Sequence, residues 1–76
     1  RVFSITSSRN NKQGDDIFLE NKKIGTIIKS YENKSVAILK TDVLPKIQKE
    51  NVTVNINNTE ATITVHIPDI LKDYAI

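Results

Sequence analysis

Apolar residues recur along this chain mostly at every second position, the spacing that lines one face of a β-strand. The alternation is cleanest near the end. Val52, Val54 and Ile56 alternate with Thr53, Asn55 and Asn57, and Ala61, Ile63, Val65 and Ile67 alternate with Thr62, Thr64 and His66. This predicts a hairpin with one core face and one wet face, turning at Asn57-Asn58, since asparagine tolerates the left-handed conformation that a primed turn requires. Residues 2–6 predict a first strand with Phe3 and Ile5 on one side and Val2, Ser4 and Thr6 on the other.

The middle of the chain is less regular. Residues 16–19 form a short apolar strand, and Glu20-Asn21-Lys22 reverses direction. Residues 23–30 return with Ile24, Thr26 and Ile28 expected on one face and Gly25, Ile27 and Lys29 on the other. A glycine inside a strand predicts a bulge or a close backbone approach. After a turn at 31–35, residues 36–39 are apolar at four successive positions, which predicts cover on both faces. Asp42 is placed to cap a brief helical turn over 43–47, kept short by Pro45, with Leu44 and Ile47 pointing inward. Residues 7–13 read as a polar surface loop ending at Gly14-Asp15, Phe3 and Phe18 as core, and Pro68 as the end of the last strand.

Short strands punctuated by turn residues, without a long amphipathic helix, predict an all-β fold: a small antiparallel six-stranded barrel with one short helical turn. All 76 residues fit one domain, and a domain this small buries only roughly 60% of its unfolded surface. The start at Arg1-Val2-Phe3, which enters a strand at once without an initiator methionine, predicts a fragment of a longer protein.

Composition removes several chemistries. With no cysteine there is neither a disulfide framework nor a thiolate metal site, and one histidine cannot build the usual zinc sets. No phosphate-binding glycine loop surrounds Gly14 or Gly25. No apolar run approaches the ~20 residues that cross a bilayer, so the expectation is a soluble, cytoplasmic chain with no membrane partner. Eleven basic and nine acidic side chains give a formal charge of +2, with the lysines scattered, so nucleic acid is an unlikely partner. The best patch for it is Tyr31 between Lys29 and Lys34. His66 falls on the wet face, where a lone histidine is usually not catalytic. Asp15-Asp16 lies at a turn, where neighbouring carboxylates point apart and bond local backbone. Three glycosylation-type triplets, at Asn33, Asn51 and Asn57, read as chance in an asparagine-rich chain. No residue is assigned as catalytic, cofactor-binding or metal-binding.

The order Lys23-Ile24-Gly25-Thr26-Ile27-Ile28-Lys29-Ser30, then Val36-Ala37-Ile38-Leu39-Lys40-Thr41-Asp42-Val43-Leu44, resembles the C-terminal barrel of YgfZ-like folate-binding proteins, relatives of the glycine-cleavage T-protein. Residues 1–6 look like the strand that follows that family's cysteine-containing signature. Gly14 matches its glycine before the second strand, and Pro68 with Tyr74 is similar to the close of T-protein chains. The signature cysteine segment itself is absent, and Asn57 and Asn58 stand near where T-proteins carry a folate-reaching arginine.

The resemblance implies a three-domain parent whose first two domains hold tetrahydrofolate and whose third is this non-catalytic barrel. It implies a role in maturation or repair of iron-sulfur enzymes. The missing N-terminal domains and iron-sulfur proteins would then be the partners. Lys29, Ser30 and Tyr31, expected in a loop, are the candidate interdomain surface. Two alternatives stay open: the C-terminal domain of an aminomethyltransferase, and an independent barrel that binds single-stranded nucleic acid.

Overall fold

A computed structural model describes residues 1–67, and these form a closed six-stranded barrel. The strands are β1 (Val2–Ser7), β2 (Asp16–Leu19), β3 (Lys22–Tyr31), β4 (Lys34–Leu39), β5 (Val52–Ile56) and β6 (Thr59–His66). A 3-10 turn (Thr41–Val43) and the one-turn helix α1 (Leu44–Ile47) join β4 to β5. Around the barrel the order is β1-β4-β3-β2-β5-β6, every neighbouring pair antiparallel, with β6 returning to β1.

The expected alternation produces the core where the strands are regular. Phe3 and Ile5 of β1, Val52, Val54 and Ile56 of β5, and Ala61, Ile63 and Val65 of β6 are buried, with Ile67 packed against them. Leu44 and Ile47 enter the same core, as their spacing predicts. Two hairpins turn as expected: Asn57 and Asn58 have φ of 53° and 60°, and Glu20 and Asn21 have φ of 52° and 66°. Positive φ at both central residues matches the right-handed twist of the flanking strands.

Strand β3 departs from simple alternation, and the departure explains the barrel. Its register slips twice, at Ile24 against β2 and at Ile28 against β4. Each bulge inserts one residue and bends the strand more sharply. Ile24 and Ile27, three apart, are therefore both buried, while Ile28 faces out at 36% exposure. The expected grouping of Ile24, Thr26 and Ile28 on one face is corrected accordingly.

Gly25 sits opposite Ile17 on one side and Leu39 on the other, both buried. A β-carbon there would overlap the Ile38 carbonyl oxygen and lie 2.6 Å from Leu39 Cδ2. The glycine is thus required by close approach between β3 and β4.

Other expectations also change. Residues 36–39 are not covered on both faces: Ala37 and Leu39 are buried, but Ile38 is 48% exposed. Phe18 is half-buried rather than core, because its neighbour Ile17 takes the inward position. Asp42 makes no capping bond and lies inside the 3-10 turn. The turn expected at 31–35 is shorter, with β3 running through Tyr31 and β4 starting at Lys34. The polar stretch 7–13 is not all solvated: Ser7 ends β1 with its side chain inward, and Asn11 is buried. Pro68 and Tyr74 lie outside the described residues.

Gly25→Ala should cost about 1–3 kcal/mol, the usual penalty for forcing extra volume into a packed site. Gly14→Ala should cost less, about 1 kcal/mol, because Gly14 has open space around it and only its φ of +92° opposes a side chain. Urea unfolding of both variants checks the order; equal losses would contradict the close approach at Gly25.

Candidate functional site

The strand register places distant residues side by side on the outside of the barrel. Tyr31 pairs with Lys34, and Lys34 with Thr6, which pairs in turn with Thr64 of β6. In the next row Lys29 pairs with Val36, Val36 with Ser4, and Ser4 with His66. Beyond it Thr26 pairs with Ile38, and Ile38 with Val2. Cross-strand partners share a face, so these rows form one outer surface across β3, β4, β1 and β6.

An open groove of about 680 Å³ runs over this surface, between Lys29, Tyr31 and Lys34 on one flank and Ser4, Thr6 and His66 on the other. His66 Nε2 is 2.8 Å from Thr6 Oγ1, which fixes the ring against β1. Tyr31 is 75% exposed at the end of β3. Lys29, Ser30 and Tyr31 are strand residues rather than a loop, and they do not all face the same way. Ser30 is half-buried, with its hydroxyl 3.0 Å from that of Ser35, while Lys29 and Tyr31 face outward.

The remaining candidates have structural partners. The Asp15 carboxylate accepts from the Lys12 N–H at 2.9 Å. Asp16 Oδ1 accepts from Thr26 Oγ1 at 3.0 Å and lies 3.3 Å from Lys23 Nζ. The two carboxylates therefore serve separate local contacts, and they do not act as a pair. Hydrogen bonds from Thr26 and then Lys23 hold the Asp16 carboxyl below the ordinary aspartate range. Among the described residues no group of three or more metal-ligating side chains gathers, and no helix is long and apolar enough to cross a membrane.

The barrel interior is filled by Ile5, Ile17, Ile27, Leu39, Ile56 and Ile63, all fully buried. A barrel interior filled by side chains in this way leaves no internal ligand cavity. The family model for the CAF17 C-terminal beta-barrel domain matches residues 1–73. The chain belongs to this family. No curated protein and no solved structure matches it. Membership in the CAF17 family agrees, at the level of this barrel, with the YgfZ-like resemblance of residues 23–44, since the two belong to one broad family.

Two features of this CAF17-type barrel escaped sequence reasoning. The Thr6–His66 contact joins residues 60 apart in sequence, and only the strand register brings them together. The outward placement of Val36 and Ile38 beside Val2 was hidden because a run of four apolar residues reads as doubly covered.

Asp16→Asn should flatten the acid limb of stability. A carboxyl held low in the folded chain stabilises above the unfolded pKa of about 3.9 and loses that contribution as pH falls through the lower folded value. Thermal melts between pH 5 and pH 2 should show wild type losing more stability than D16N; parallel curves would contradict the Thr26 and Lys23 contacts. At the β3–β4 tip, Glu32 holds φ of 55°. Glu32→Gly relieves that conformation and should raise stability by up to about 1 kcal/mol, read as a shifted urea midpoint.

Proposed function

We propose that the chain is the non-catalytic C-terminal barrel of a larger, cytoplasmic YgfZ/CAF17-type protein that binds tetrahydrofolate and assists maturation or repair of iron-sulfur enzymes. The family match over residues 1–73 carries this reading. Residues 1–76 would then belong to the C-terminal domain, packed against the preceding domains of the same polypeptide, with iron-sulfur proteins as its external partners.

The interior is occupied by aliphatic side chains, so a pterin would have to lie outside the barrel. At the last hairpin, Asn57 and Asn58 occupy a tight turn with both φ positive. A neutral amide there binds a carboxylate tail less strongly than the charged, bidentate fork of an arginine. This favours folate held by the preceding domains, with the barrel serving as a wall, and it ranks the accessory role above aminomethyltransferase activity.

Calorimetric titration of tetrahydrofolate into the parent protein and into the 76-residue chain tests the reading. The parent should bind saturably and the isolated chain should not. A parent that fails to bind folate would overturn the proposal. A parent that transfers a one-carbon unit from an aminomethyl-lipoyl carrier would replace it with the aminomethyltransferase reading.

A further inference from the structure

The outward faces of the barrel differ in chemistry. On the β5–β6 hairpin they carry Thr53, Asn55, Thr62 and Thr64, as a surface left in water would. Across β3, β4 and β1 they carry Val2, Ile28, Val36 and Ile38. Val2 and Ile38 face each other across the β1–β4 ladder at 58% and 48% exposure. Aliphatic pairs gathered on one face of an otherwise polar exterior mark a surface that another surface covers.

Charge narrows what that other surface is. Lys29 and Lys34 flank the aliphatic centre, and on β3, β4 and β1 these rows carry no acidic residue; Asp16 of β2 follows Thr26 in the third row. The nearest acids are Glu32 at the hairpin tip and Asp16, which is held by Thr26 and Lys23. We propose that the outer face of β1, β4 and β3 docks a preceding domain of the parent chain, through a surface that is aliphatic at its centre and bears carboxylates opposite Lys29 and Lys34. The inference rests on the reading of this barrel as one domain of a larger polypeptide.

Four considerations select this occupant. The matching family is described as a C-terminal domain, and sequence preceding such a domain joins it at β1, one of the three strands of this face. The barrel is closed, so it offers a strand only short unpaired stretches at its rims, and a contact on this face is made by side chains. A second copy packed face to face would present the same basic face and bring no carboxylate of these rows opposite Lys29 and Lys34. Single-stranded nucleic acid would need a row of aromatic platforms, and Tyr31 is the one aromatic here.

Zero-length carbodiimide cross-linking of the purified parent, read by peptide mass spectrometry, tests the proposal. Lys29 or Lys34 should link to an Asp or Glu of a preceding domain. In the parent, amine acetylation of both lysines should be at least about fivefold slower than in the 76-residue chain, while exposed Lys12 keeps its rate. Ile38→Ser in the parent should restore fast acetylation of Lys29 without changing the melting of the isolated chain. Equal acetylation rates in parent and isolated chain would overturn the proposal, as would cross-links between two copies or protection only by oligothymidylate. None of these readouts involves folate. A parent with shielded lysines and no folate binding would therefore sink the folate role alone, and a folate-binding parent with freely reactive lysines would sink the docking face alone.

Discussion

Closure of the sheet depends on a seam only two residue pairs long, Ile17 opposite Ile56 and Phe18 opposite Asn55, where the four-residue β2 meets β5. Every other junction is longer. If this one holds, six strands form a ring with no exposed edge, and Ile17 and Ile56 are both sealed inside. Without it, the same chain would be a curved sheet with two free backbone edges, a shape that invites pairing with other strands. The bulges of β3 make the seam reachable. By bending the ten-residue strand twice, they carry β2 far enough around to meet β5. Gly25, lodged against Ile38 and Leu39, lets the bent strand approach β4 closely enough to stay paired.

Closure also decides where function can reside. The interior is committed to aliphatic packing, and the backbone has no free ladder to offer, so only outward side chains remain to meet a partner. On β5 and β6 those are mainly the threonines and other polar residues expected of a wet strand face. The exception is the surface of β1, β4 and β3, where Val2 and Ile38 meet across strands and Lys29 and Lys34 stand beside them.

How much of this was legible in the sequence follows from regularity. The β5–β6 hairpin could be read residue by residue, because strict alternation and the Asn57-Asn58 turn each dictate the same structure. The glycine signal at position 25 pointed correctly to a bulge and a close approach, but period-two reasoning cannot place an inserted residue. Ile28 was therefore expected beside Ile24 and is instead outside. The apolar run at 36–39 misled for a different reason: four successive apolar residues read as a strand covered on both sides, and only Ala37 and Leu39 are buried while Ile38 is exposed. The candidate surface was partly visible, in that Lys29 and Tyr31 do face outward, whereas Ser30 turns inward to Ser35. The groove's other flank was not visible at all, since Thr6 and His66 meet only through the β1–β6 register.

The measurement that bears most directly on the central claim, a barrel closed by the β2–β5 seam, is native-state amide hydrogen exchange of the 76-residue chain. The account predicts that the facing amides of β2 and β5 exchange as slowly as those of the β1–β4 and β3–β4 ladders, opening only with global unfolding. Fast exchange along β2 and β5, with the other ladders protected, would show an open sheet with usable edges and would contradict it.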